Sequence, residues 1–177
     1  MSSGTSGVAA VTWQDVLRIA ADVGSRLVAR KETVAVAESS AGGLIAAALL
    51  AVPGASAYFK GGGVVYTLEA KSRLLDATRD EMSEPRAATE AHALILARAA
   101  RTRLDATWGV GETGASGPTG NRYGDPPGHA CVGVAGPERA GRARTVSTGM
   151  GAGEGERVVN MYAFAHAALA LMLEVLE

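Results

Sequence analysis

The residues of this 177-residue chain that could do chemistry gather in a few glycine-rich turns. Glu38-Ser-Ser-Ala-Gly-Gly43 stands between a β-branched run and an apolar run, so it reads as a strand end that opens a helix. Backbone N–H groups at such a start bind anions and can stabilise an oxyanion. A serine there, Ser39 or Ser40, is either a nucleophile or a helix cap, and residue type alone leaves both open. A serine nucleophile needs a base, and no His–Asp pair is evident. A lysine serves when burial disfavours its ammonium form. The only lysines are Lys31, Lys60 and Lys71. Lys71 follows the largely apolar Val64-Val-Tyr-Thr-Leu-Glu-Ala70 and is either that base or a surface lysine on a short helix.

A second cluster, Gly111-Glu-Thr-Gly-Ala-Ser-Gly-Pro-Thr-Gly120, combines hydroxyls with small residues. It reads as a cradle for an anion or a sugar phosphate, with Arg122 close by to pair with phosphate. Overlapping it, Gly109-Val-Gly-Glu-Thr-Gly114 matches G-x-G-x-x-G. Gly117 and Pro118 follow where a dinucleotide fold needs a helix, so that reading is rejected. There is no P-loop and no G-x-S-x-G elbow. His92 and His166 fall in predicted helices and read as surface or packed side chains, whereas His129, just after the loop, is less easily set aside. Cys131 reads as a small core residue.

The elements that must position these residues alternate. Thr12 to about Lys31 is an amphipathic helix, with Thr12 and Asp15 as an imperfect capping box. Thr33–Ala37 is a buried strand and Leu44 to about Ala51 a buried helix. Tyr58–Phe59 and Val64–Thr67 look like strand material around three glycines. Glu69–Leu75 is a short helix. Ser83-Glu-Pro85 opens a helix that runs to about Arg103, with Ala87, Ala91, Leu94, Ile95 and Ala99 inward. Thr107–Val110 is a strand and Gly111–Gly128 a long loop. Cys131–Ala135 and Ala143–Ser147 form a hairpin around Gly136–Gly141, and Glu156–Leu176 closes the chain as a helix. The pattern predicts an α/β fold, a three-layer α/β/α sandwich on a mixed sheet.

Length and composition fit one domain over 11–177, behind a flexible, Ser/Gly-rich segment at 1–10 that is no secretory signal. Apolar residues make up 47% and charged ones 20%, which excludes wholesale disorder. Seventeen basic against eighteen acidic residues give a charge of −1, so neither nucleic acid nor a membrane surface is an expected partner. A single cysteine and three scattered histidines point to no metal and no disulfide. Apolar runs are interrupted short of about 18 residues, so no spanning helix is expected. The missing signal and lone thiol suggest the cytoplasm.

Taken together, these segments resemble the CinA C-terminal domain family, the nicotinamide-nucleotide amidohydrolases, over roughly Trp13 to Glu174. The resemblance is carried by Ala37-Glu-Ser-Ser-Ala-Gly-Gly43, Val52-Pro-Gly-Ala-Ser-Ala-Tyr-Phe59, Gly62-Gly-Val-Val-Tyr66, Glu69-Ala-Lys71 and Thr113-Gly-Ala-Ser-Gly-Pro118. It implies an α/β/α homo-oligomer, without cofactor or metal, that deamidates nicotinamide mononucleotide to the nicotinate form. The family's Ser–Lys dyad falls on Ser39 and Lys71. Tyr66 and Thr113 would orient the dyad or the substrate, and N–H groups from Ser40 to Gly43 would hold the oxyanion. Ser40, Gly42, Gly43, Gly114, Ser116, Gly117 and Arg122 would contact the nucleotide.

The chain departs from the family pattern at Leu68, where relatives carry Asn, and at Glu112, where they carry an apolar residue. It departs again along Thr119–Gly124 and at Gly151–Gly153, which lacks the family's arginine; Arg157 is the nearest substitute. Larger relatives carry an N-terminal molybdopterin-binding-like domain outside the resemblance, and no activity of that domain is expected here. Two further readings follow from the departures: a catalytically silent nucleotide-binding or assembly module, and a hydrolase whose amide substrate has drifted.

Overall fold

A computed structural model describes residues 10–76, 78–149 and 155–177. The expected flexible segment at 1–10, apart from Ala10, and the Gly151–Gly153 departure lie outside the described residues. The chain runs α1 (Trp13–Arg30), β1 (Val34–Glu38), α2 (Leu44–Ala51), β2 (Phe59–Val64), α3 (Leu68–Leu75), α4 (Arg79–Ser83), α5 (Glu90–Arg103), β3 (Trp108–Ala115), β4 (His129–Ala135), β5 (Gly141–Ser147) and α6 (Glu156–Leu176).

The strands form one mixed sheet in the order β2-β1-β3-β4-β5. β2, β1 and β3 are parallel, while β4 and β5 return antiparallel. Alternation along β1 sorts the two faces. Val34 and Val36 join Val110, Val132 and Val134 under α1, α2 and α6. Ala35 and Ala37 face the opposite layer, against Leu75, Met82, Leu96 and Ala100 of α3, α4 and α5. This is the α/β/α sandwich that the sequence predicts. The Thr12–Asp15 capping box is complete: Asp15 N–H donates to Thr12 Oγ1 at 3.3 Å, and Thr12 N–H to Asp15 Oδ2 at 3.0 Å.

Several boundaries differ, each for a physical reason. The expected helix from Ser83 to Arg103 begins only at Glu90, and Ser83 is instead the last residue of α4. Glu84 is extended ahead of Pro85, as steric clash with the proline ring requires, and Ala88 takes a left-handed conformation at φ 58°. α5 then starts at its own cap, Thr89, whose Oγ1 accepts the His92 N–H at 3.3 Å.

The inward face of α5 is also shifted. His92, Ala93, Leu96, Ala97 and Ala100 are buried; of the expected set, Ala91 is exposed and Ala87, Leu94, Ile95 and Ala99 are half-buried, with Ile95 and Ala99 packed against the core. The helix lies so close to the sheet that Ala93 and Ala97, with Leu96 beside them, form the contact. A Cβ at Gly109 would stand 1.9 Å from the Ala97 carbonyl oxygen, and one at Gly111 2.1 Å from that of Ala93. Those glycines therefore belong to β3, which continues through Glu112 and Thr113 to Ala115 where a loop was expected. Gly61–Gly63 likewise lie inside β2, paired with Ala35–Ala37, not between two strands.

α6 corrects a further expectation. By length and composition it could cross a membrane, because Asn160 and His166 interrupt its apolar run without charge. Its Phe164, Ala168, Leu169 and Met172 are buried in the core shared with α1 and the sheet, as in the core helix of a globular domain.

Candidate active site

The carboxyl end of the parallel strands carries the site, where open α/β sheets place their ligands. β1 ends at Glu38, and the chain turns through Ser39–Gly43 into α2. Two buried carboxylates fasten this turn. Glu38 accepts the Ile45 and Ala46 N–H groups, each at 3.0 Å, at the start of α2. Glu112, from β3, accepts Ser39 N–H at 2.9 Å and Ala41 N–H at 2.8 Å on Oε2, and the Ser40 hydroxyl on Oε1. Gly42 N–H donates to the Ser39 carbonyl at 3.2 Å, and Gly43 N–H reaches Glu38.

The helix start is thus already supplied with anions. Of the donors expected to hold an oxyanion, those of Ala41, Gly42 and Gly43 are engaged. The Ser40 N–H has no protein acceptor among the described residues. Ser39 is buried, yet its Oγ bonds to no described residue and retains some exposure. Gly42, at φ +69°, leaves room for Met161: a Cβ there would meet its methyl at 2.5 Å.

Lys71, on α3, is buried at 5% exposure. Thr67 caps that helix through the Ala70 N–H at 3.0 Å, which sets the turn carrying Lys71. Its Nζ lies 2.9 Å from His92 Nε2, and His92 Nδ1 lies 2.9 Å from the Pro85 carbonyl oxygen. A carbonyl only accepts, so Nδ1 carries the proton and Nε2 accepts from lysine. Burial pushes the Lys71 ammonium down; the Glu112 charge opposes this and the Arg122 charge assists it. Burial and the neighbouring lysine charge push His92 down to about 4, so the ring is neutral near pH 7. Burial pushes Glu112 up, against its three hydrogen bonds and the Lys71 charge.

Thr113 Oγ1 on β3 accepts the Ala88 N–H at 3.1 Å, and His129 Nε2–H on β4 donates to the Ala88 carbonyl at 3.0 Å, tying the α4–α5 connection to these strands. The loop after β3 is held from several sides. Asn160 of α6 donates to the Ser116 carbonyl at 2.9 Å, and Arg157 donates to that of Gly117. Arg86 grips Asp125 with two bonds, at 2.7 and 3.1 Å. The Arg86 and Arg122 guanidiniums both lie over the Tyr123 ring, 5.1 and 5.3 Å from its centroid. The Ser116 hydroxyl is buried without a partner, a rare condition for a polar group. Among the described residues, no three His, Cys, Asp or Glu side chains are grouped to hold a metal.

A family model described as the CinA C-terminal domain matches residues 16–176. The chain belongs to the CinA C-terminal domain family. The CinA-like protein of Desulforapulum autotrophicum is 41% identical over 116 residues, 66% of this chain and 27% of that protein. That of Gloeobacter violaceus is 40% identical over 129 residues, 73% of this chain and 30% of the relative. The chain thus spans less than a third of the length of these curated relatives. The crystal structure of competence/damage inducible protein CihA from Agrobacterium tumefaciens aligns with a TM-score of 0.82 at 26% identity, covering 92% of this chain and 96% of that one. A CinA superfamily protein from Klebsiella pneumoniae aligns at 0.80 and 24% identity over 91% and 97%, a likeness of fold.

In this CinA domain the sequence-predicted residues divide. Ser39, Ser40 and Glu112 share one hydrogen-bonded cluster, and the Lys71 charge acts on Glu112. Thr113 is buried and holds backbone, while Tyr66 is 62% exposed. His92, Glu38, Arg86 and Asn160 carry structural parts that motif reading missed. The missed signal at His92 was a polar side chain three residues after the Thr89 cap, in an alanine-rich stretch.

Glu38 gives a pH test. Burial chiefly, helped by the Glu112 charge, pushes its carboxyl up to about 7. A carboxyl with a raised folded pKa binds more protons folded than unfolded. Its contribution is complete below the unfolded value of 4.5 and lost as pH rises to about 7. The difference in unfolding free energy, wild type minus Glu38→Gln, should therefore fall by up to about 3 kcal/mol across this window. Urea unfolding at about pH 5 and about pH 8 measures it. His92 and Lys71 cancel because both proteins carry them, and a flat difference would refute the assignment.

Proposed function

We propose that the chain hydrolyses the carboxamide of nicotinamide mononucleotide or a related pyridine nucleotide, with Ser39 as nucleophile and Lys71 as general base. The observation that carries this reading is Lys71: a buried amine, lowered by desolvation, whose nearest charges include Glu112, the carboxylate that holds the Ser39 N–H.

Ser39 Oγ would attack the amide carbon while its proton passes to neutral Lys71. The C–N bond breaks as the Lys71 ammonium protonates the departing nitrogen, which leaves as ammonia. Water then attacks the acyl-serine with Lys71 again accepting a proton, and the acid and free serine are released. The open Ser40 N–H is the turn's remaining donor for the oxyanion. Arg122, whose charge reaches Lys71, gives the entrance a positive group suited to a phosphorylated substrate. The unpartnered Ser116 hydroxyl supports a polar ligand at the loop.

A second reading is a nucleotide-binding module without turnover. It is favoured by one observation: Lys71 bonds to His92, and no hydrogen bond joins it to Ser39. Ammonia release from nicotinamide mononucleotide by the purified protein decides. Release supports the hydrolase. Tight binding of the nucleotide without release replaces it with the second reading.

A further inference from the structure

We propose that His92 is a positioning residue that orients the Lys71 amine through its Nε2 acceptor. This rests on the reading of Lys71 as the base. The ring cannot turn freely, because its Nδ1–H is committed to the Pro85 carbonyl at 2.9 Å and the side chain is wholly buried. Its Nε2 lone pair therefore points in one direction, and Lys71 Nζ meets it at 2.9 Å. A lysine amine at the end of a flexible stem otherwise samples many rotamers. Holding one N–H on a fixed acceptor leaves the other valences of Nζ for the space shared with Glu112 and Arg122. A general base contributes only when its lone pair stands in reach of the proton it takes.

The groups facing Lys71 from each element are few. His92 comes from α5, Glu112 from β3 and Arg122 from the loop after β3. α4 packs on α3 through Met82 and Leu75, which carry no charge. His92 is the hydrogen-bond partner among them, so it sets geometry, while Glu112 and Arg122 act through charge. His92 does not serve as the proton acceptor itself, because its Nε2 is occupied by the lysine.

The experiment is nitrogen NMR on protein labelled with 15N in lysine and histidine, with no substrate present. The three lysines give three Nζ signals, assigned through Lys71→Met, and exposed Lys31 and Lys60 are internal references. In the wild type, His92 should show protonated Nδ1 and unprotonated Nε2 from about pH 6 to about pH 8, a window set by a ring pushed down to about 4. Lys71 should titrate below the ordinary lysine range. His92→Leu removes the acceptor and leaves an apolar wall, so the Lys71 midpoint should drop further, by about one pH unit or more. His92→Gln restores an acceptor and should return the midpoint toward the wild-type value.

In the ammonia assay, His92→Leu should lower kcat about tenfold or more with KM little changed, as expected for a mispositioned base. A space-filling role would leave both the Lys71 titration and kcat unmoved by His92→Leu, and that result overturns the proposal. So does a wild-type His92 protonated at Nε2, which needs no variant and stands even if His92→Leu fails to fold. Absence of ammonia release from the wild type would sink the proposed hydrolase, while the titrations would still judge His92.

Discussion

Ser39→Ala should cut ammonia release from nicotinamide mononucleotide on the order of 10⁴-fold or more. The fold should be untouched. The Ser39 hydroxyl bonds to no described residue, and the backbone N–H that meets Glu112 at 2.9 Å is retained by alanine. A change within about 0.5 kcal/mol is expected, readable as a melting shift of a degree or two. Loss of activity with an unchanged melt would separate chemistry from stability.

Lys71→Met should give a comparable loss, because methionine keeps the length of the stem and removes the proton acceptor. It frees the fold from burying an amine, a gain set against an unpaired His92 Nε2 that costs about 1–3 kcal/mol. The double variant should be no worse than either single one, since nucleophile and base act as a unit. Full activity in Ser39→Ala would end the dyad assignment. Full activity in Lys71→Met alone would move the base elsewhere, and the carboxylate nearest the turn, Glu112, would be the next to test.

The layers of the fold were legible because they rest on periodicity and punctuation. The Val16, Ala20, Val23 and Leu27 face of α1 and the Thr12–Asp15 box follow from spacing that local geometry obeys. Glycine misled the reading along β2 and β3. Locally it signals a turn, but at Gly109 and Gly111 it is demanded by α5, a neighbour distant in the chain. The same close approach explains the misplaced inner face of α5. Leu94 and Ile95 look like core side chains, yet they are half-buried, and Ala93, Leu96 and Ala97 meet the β3 glycines instead.

The site was half legible. Ser39 and Lys71 stand in motifs of defined type, so their positions could be read. Their surroundings could not, because His92, Glu38 and Glu112 acquire their roles from burial and from partners that spacing does not show. By sequence His92 reads as a surface or packed side chain; it is packed, and that its partner is Lys71 depends on how α3 and α5 meet.

Glu112→Ala should destabilise the protein by about 3 kcal/mol or more, a melting drop near 10 °C for a chain of this size. The argument is a balance of two costs. A wholly buried carboxylate is expensive, and its upward pKa shift shows that desolvation outweighs the bonds it receives. Truncation removes that cost. It also strands the Ser39 and Ala41 N–H groups and the Ser40 hydroxyl, each bonded to Glu112 and each in a buried residue. An orphaned buried donor costs about 1–3 kcal/mol, so three of them outweigh the relief of one charge.

Glu112→Gln separates the two costs. It removes the charge but keeps an oxygen for part of the network, so its stability should fall between those of Glu112→Ala and the wild type. Its activity should report on Lys71. The Glu112 charge holds the lysine pKa up, against desolvation. A neutral glutamine lets it fall, and the base is then free at lower pH. The acid limb of the kcat/KM profile should therefore move to lower pH in Glu112→Gln, as the pKa of an essential base in the free enzyme dictates. A limb that stays in place would show that Glu112 supports the turn alone. An unchanged melt for Glu112→Ala would show that the Ser39–Ala41 donors find other acceptors.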